Sequence, residues 1–199
     1  MTLPRRTQAE RSATTRSALL KATVETLVHS GHRGATNAEI CRRARVSRGA
    51  LLHHYATKAE LFTAAVEHLF ELRHAELRRL DEEVPPSQRV DEAFRRLWAI
   101  YAGPTSVAWM ELVIAARSDP ELRARLQEVS LRLEERAEDT LSRLFGLSSS
   151  VPARPGIRMV LAQLDGLAFH HLLHGDEQAA TEALALFKAL VEPFVQEAR

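Results

Sequence analysis

A single cysteine, Cys41, among 199 residues excludes an intrachain disulfide and fits a reducing compartment. No apolar run approaches the roughly 18 residues of a membrane-spanning helix, and Met1 to Arg11 lacks the apolar stretch of a signal peptide. A cytoplasmic protein is therefore expected. A Gly-rich phosphate loop, a nucleophile motif and paired carboxylates are all missing, which argues against an enzyme and implies no cofactor. Strand-like alternation and internal repeats are missing too, which leaves an all-α chain.

What is present is charge, unevenly placed. The chain is 45% hydrophobic and 27% charged, enough for one or two helical domains with a real core. Its net charge of +1 hides an asymmetry: residues 1–58 hold 11 Lys or Arg against 3 Asp or Glu, and residues 59–199 hold 16 against 23. The front is thus +8 and the remainder −7, as expected when one end meets polyphosphate.

The basic front contains two short helix signatures. Thr36 with Glu39 reads as a reciprocal capping box that starts a helix from Asn37 to about Ala44. Its positions Ala38, Ile40, Cys41 and Ala44 are small enough for a second helix to cross closely, and Cys41 reads as a core residue of that crossing. Arg45 and Val46 make a tight turn, and Ser47 caps a second helix from Arg48 to about His54. The pair forms a helix-turn-helix whose second helix can enter a major groove. Arg48, Gly49 and Ala50 open that helix, one long cation beside two residues with almost no side chain, suited to close approach. Thr57 and Glu60 repeat the capping box and launch a third helix. Lys58 in its first turn opposes the helix dipole, so a phosphate partner explains it better than helix stability does.

At these residues the chain resembles the tetracycline-repressor (TetR) family of bacterial transcriptional regulators. Val46-Ser47-Arg48-Gly49-Ala50-Leu51, His53-His54-Tyr55 and Thr57-Lys58-Ala59-Glu60-Leu61-Phe62 match the family pattern in order and spacing. The resemblance implies that Thr36, Asn37, Ser47, Arg48, Gly49, Ala50, Leu52, His53, His54 and Lys58 contact double-stranded DNA. Two positions depart from the pattern. Arg45 stands where the turn usually has Gly, implying either a left-handed residue under strain or a different turn. Leu52 stands where a groove-facing Tyr is usual, trading a phosphate hydroxyl for a possible thymine-methyl contact.

Along the rest of the chain, Pro4, Arg5 and Arg6 read as a basic arm or a solvated tail. A first helix runs from about Gln8 to His29, ended by Gly31, and should share a core with the helix-turn-helix through Leu20, Val24, Leu27, Ile40, Val46, Leu51 and Tyr55. The helix after Thr57 should persist to Glu83, carrying Phe62, Val66, Leu69, Arg73, Leu77 and Leu80, until Pro85-Pro86 stops it. Such a connector of about 25 residues would span roughly 38 Å. Further helices are marked by Val90 to Tyr101, by Ser106 to Ala116 with Trp109, Leu112, Val113 and Ala116 on one face, and by Asp119-Pro120 to Gly146. Leu147 to Arg154 reads as a flexible loop, followed by helices over Pro155 to His174 and Asp176 to about Val195.

The resulting reading is a DNA-binding head, residues 1–56, and a ligand-binding and dimerisation body, residues 57–199. The resemblance implies a homodimeric repressor of a palindromic operator, released by a small apolar effector. His74, Trp98, Tyr101, Trp109, Met110, Glu111, Phe169 and His170 are candidates to line the effector site. Each serves equally as core. His170, His171 and His174 lack a third ligand at metal-site spacing, so core, interface or pocket histidines are favoured over a metal site. The last two helices have apolar stripes wider than one seam needs, so Leu161, Leu164, Ala168, Leu172, Phe187, Leu190 and Phe194 are expected at a dimer interface. Two other readings stay open: a helical enzyme or carrier with a structural head, and a nucleoid-type architectural DNA binder.

Overall fold

A computed structural model describes residues 7–147 and 153–197. The expected arm at Pro4, Arg5 and Arg6, and residues 148–152 of the expected loop, lie outside the described residues. Among those described there are only helices: α1 (Gln8–Gly34), α2 (Asn37–Ala44), α3 (Arg48–His54), α4 (Lys58–Arg78), α5 (Leu80–Glu83), a 3-10 turn at Pro86–Gln88, α6 (Arg89–Tyr101), α7 (Pro104–Ala116), α8 (Pro120–Phe145), α9 (Ala153–His174) and α10 (Glu177–Glu197). The all-α expectation holds.

Local chemistry sets the boundaries. Thr7 and Glu10 form a reciprocal capping box at the start of α1, the hydroxyl accepting from the Glu10 N–H at 3.2 Å and the carboxylate from the Thr7 N–H at 2.8 Å. The box expected at Thr36 and Glu39 is only half made. Thr36 accepts from the Glu39 N–H at 3.2 Å, but the Thr36 N–H donates to the Gly34 carbonyl at 2.8 Å. The Glu39 carboxylate is taken by Arg42 and Arg43, each at 2.7 Å. These guanidiniums hold the Glu39 pKa down at about 2. At Thr57 the hydroxyl caps the Glu60 N–H at 3.1 Å, while the Glu60 carboxylate reaches past Thr57 to the Ala56 N–H at 2.9 Å. Asp119 and Asp176 cap α8 and α10 by accepting from Leu122 at 3.0 Å and Ala179 at 2.9 Å.

A positive φ marks the break inside α1 and the end of α2. Gly31 has φ 64 and ψ 179, breaking α1 before a last helical turn. Arg45 adopts φ 56 and ψ 42, the left-handed alternative among those open from sequence. The connector expected to run unbroken to Glu83 instead stops at Arg78; α5 begins one residue later, after Arg79, which lacks a side chain able to cap it.

The chain divides into two compact units. The first comprises the described residues up to Leu69 together with Val107–Val129, and the second comprises Phe70–Ser106 with the described residues from Ser130 onward. Helices α4, α7 and α8 therefore each contribute residues to both. In the first unit α1 packs on α2 and α3. Leu20, Val24, Leu27, Ile40, Leu51 and Tyr55 are buried as expected, whereas Val46 is only half-buried. On α7 the buried positions in this unit are Ala108, Leu112 and Ala116; Val113, expected among them, is 48% exposed.

The second unit has one apolar core. Val90, Ala93, Phe94, Leu97 and Ile100 of α6 meet Leu77, Leu80, Leu141, Leu144, Phe145, Ile157, Val160, Leu164 and Val195. The α6 residues recur at helical spacing, one stripe facing one core. Leu164 and Ala168, expected at a dimer interface, are 0% and 3% exposed and belong to the protomer's own interior. Leu161 and Phe187 pack against that core from its margin. The side chain of Arg73 lies outside the described residues.

A left-handed residue with a Cβ costs about 1–2 kcal/mol relative to Gly. Arg45→Gly should therefore raise the melting temperature by about 2–8 °C, measured by circular dichroism. An unchanged or lower value would show that Arg45 makes compensating contacts.

Candidate nucleic-acid interface

Helix α3, expected to enter the groove, is held by its own cap and by a polar link to α1. Ser47 accepts from the Ala50 N–H at 3.1 Å, fixing the first turn of α3. Leu51 and Tyr55, 2% and 4% exposed, anchor its inner face, and the Tyr55 hydroxyl accepts from Arg16 Nε at 3.2 Å. The opposite face is open: Ser47, Arg48, Gly49, Leu52 and His53 are exposed, with Ala50 and His54 half-buried. His53 and His54 stand edge to face at 5.5 Å. Thr36 is exposed and Asn37 half-buried at the start of α2. The two departures from the expected pattern take different forms: Arg45 is accommodated by backbone geometry, while Leu52 puts an aliphatic side chain 48% exposed on the surface of α3. Cys41 is buried, and burial pushes its thiol pKa up, so little of the reactive thiolate forms.

Lys58 is placed differently from the exposed groups. Its ammonium lies 3.4 Å from the His32 carbonyl and 4.9 Å above the Phe62 ring. Burial lowers its pKa, and the charge of Asp119 opposes that shift. Lys58, expected at a phosphate, thus has intramolecular partners as well. Glu111, expected as a polar anchor for an effector, accepts from the His32 N–H at 2.9 Å. Sequence reasoning missed both contacts because the partners are backbone groups of α1, which no spacing rule connects to residues 58 or 111.

The remaining effector candidates fall in different units. Trp109, Met110 and Glu111 belong to the first; His74, Trp98, Tyr101, Phe169 and His170 to the second. Trp98 meets His171 edge to face at 5.8 Å. Burial, with a smaller contribution from Asp165, pushes the Tyr101 phenol well above its ordinary value. Burial likewise raises the Asp165 carboxyl to about 6. His74 is 8% exposed with an unpartnered Nδ1, and burial, then Arg78 and Arg136, lowers its pKa. Phe169 and His170 instead lie on the exposed side of α9. His170 stacks on His174 with centroids 4.5 Å apart. Among the described residues no three His, Cys, Asp or Glu side chains are grouped to hold a metal ion, and no single helix is long and apolar enough to cross a membrane.

A basic head that offers the open face of a capped second helix is a DNA-reading arrangement, and comparison with known proteins agrees. Residues 19–65 match the family described as bacterial regulatory proteins, tetR family, and residues 88–193 match the tetracyclin repressor-like C-terminal domain. The HTH-type transcriptional regulator CymR of Pseudomonas putida is 30% identical over 182 residues, covering 89% of both chains. The chain belongs to the TetR family. It is a DNA-binding transcriptional regulator. An uncharacterized HTH-type transcriptional regulator of Mycobacterium tuberculosis is 32% identical over 148 residues, spanning 72% of this chain and 74% of that one. A TetR-family structure from Rhodococcus shares the fold at a TM-score of 0.73 and 22% identity, covering 89% of this chain and 98% of its own.

Two outcomes are expected. Arg48→Ala should cost about 1–3 kcal/mol of operator affinity and relax preference at one base position, measured across a panel of single-base operator variants. Uniform weakening across the panel would instead make Arg48 a backbone contact. For Asp165 the unfolded chain gives up its proton near 3.8, whereas the folded unit keeps it to about 6. Its contribution to stability therefore falls as pH rises through that window. Asp165→Asn should raise the melting temperature by about 2–4 °C at neutral pH and leave it unchanged below the window.

Proposed function

We propose that this regulator is a cytoplasmic homodimeric repressor of a palindromic operator, released by a small apolar molecule. Residues 1–56 read DNA; residues 57–199 bind the effector and dimerise. The observation that carries this reading is the outward face of α9 and α10. Met159, Phe169, Leu173, Leu186, Leu190 and Phe194 are each more than half exposed. Apolar side chains gathered on two adjoining helices mark a contact surface rather than a solvated one. Laid against its own copy by a twofold, that face forms a four-helix bundle and couples two reading heads. Two heads reach successive major grooves about 34–36 Å apart, or a multiple of that spacing, where one would make too few base contacts.

The effector reading is supported by half-buried Trp98 and Tyr101 on α6, near partly buried polar groups of α9, and by the match of this region to the tetracyclin repressor-like domain. Thermodynamics limits what the effector does: it shifts the DNA-binding equilibrium only by its differential affinity for two conformations, about 1.4 kcal/mol per tenfold. Helix α4 holds residues of both units, which makes it a direct route for that shift. Release rather than recruitment follows the family's habit. Relatives named as regulators favour this reading over a catalytic one.

The double substitution Leu190→Glu and Phe194→Glu should give a folded monomer by sedimentation. Its affinity for a palindromic operator selected from random DNA should fall by about 10²-fold or more, while its weak binding to unrelated DNA persists. A wild-type protein that sediments as a monomer at micromolar concentration would remove the dimeric reading.

A further inference from the structure

We infer that Glu111 is a positioning residue for DNA recognition: with Lys58 it clasps the α1 hinge at His32 and so sets the angle at which the helix-turn-helix is presented. The inference rests on the two-headed reading above. All the groups involved lie in the first unit.

The hinge is the break in α1. At Gly31 the backbone leaves the helix with φ 64, and the interrupted ladder leaves the His32 N–H and carbonyl to find other partners. The N–H is taken by Glu111 Oε2 of α7 at 2.9 Å and the carbonyl faces Lys58 Nζ at 3.4 Å. The imidazole stands edge-on to Phe62 of α4 at 5.4 Å. One residue is thus held through donor, acceptor and ring by two other helices. A Cβ added at Gly31 would lie 3.0 Å from the same Glu111 oxygen, so the hinge residue is bare where the carboxylate comes in.

The short stretch of chain beyond the hinge makes its angle consequential. Ala35 is fully buried and Thr36 is already the cap of α2, so α2 and α3 extend from the clasped peptide with almost no slack. A second strut, from the Thr57 hydroxyl to Glu121 at 2.9 Å, joins the start of α4 to α8. It is exposed and therefore weaker. A rigid hinge matters little to one head finding one groove. It matters when two heads must dock together, since an angular error at each is carried to both half-sites.

The test compares the full-length protein on two DNA duplexes, a selected two-half-site operator and the same duplex with one half-site scrambled. Glu111→Ala should weaken the operator by about tenfold and the single half-site by less than about twofold, while Glu111→Gln, which keeps an acceptor for the His32 N–H, should recover most of the loss. Phe62→Leu, which removes the ring that meets His32 but keeps an apolar side chain in the core, should show the same selective loss. It serves as the test if Glu111→Ala does not fold. Equal binding by variant and wild type, or equal loss on both duplexes, overturns the clasp. So does failure of both variants to fold, which would make the contact one of folding alone. A wild type that gains nothing from the second half-site overturns the two-headed reading, and the inference falls with it.

Discussion

The peptide between Gly31 and His32 carries the geometry of the reading head, because there α1 breaks before its last turn, a few residues ahead of α2. A left-handed residue at that point costs nothing only if it has no Cβ. The break exposes two polar backbone groups, and burying them unpaired would cost more than a typical hydrogen bond contributes. Glu111 and Lys58 answer that need from α7 and α4. Removing the break would straighten α1, strip both side chains of their partner and carry Thr36 away from the position where it starts α2.

Much of the fold was legible because it is punctuated by residues whose preferences are strong and local. The starts of α2 and α3 follow from Thr36 and Ser47, and the start of α8 from Asp119-Pro120. Capping chemistry was legible at one end of each contact and not at the other. Thr36 and Thr57 cap as their spacing implies, yet the carboxylates of Glu39 and Glu60 turn to nearer or better donors. Thr7 and Glu10 form the full reciprocal box, in the same spacing, at a place where apolar periodicity has not yet begun to draw attention.

The candidate site was legible in its exposed half. Ser47, Arg48, Leu52 and His53, which the resemblance assigns to DNA, are exposed, while Leu51 and Tyr55, read as core, are buried. For Lys58 and Glu111, a charged side chain in sequence does not reveal that a backbone carbonyl or N–H from α1 will meet it. The same limit governs α9. Period tells that Leu164, Ala168, Phe169 and Leu173 recur at helical spacing, but not which arc meets α6 and which is left outside. Two apolar arcs on one helix are alike until a neighbour is chosen.

The first unit includes Val107–Val129 as well as the residues up to Leu69. Its closure therefore waits on chain far beyond the helix-turn-helix. During synthesis α1, α2 and α3 leave the ribosome first, with Glu111 and Glu121 still to come. Loop closure over such separations is slow compared with forming a local helix. A nascent head must therefore pass through a stage in which its basic face exists before its hinge is fastened. Nonspecific attraction to polyphosphate therefore precedes paired docking on two half-sites, and the order of synthesis alone imposes that interval.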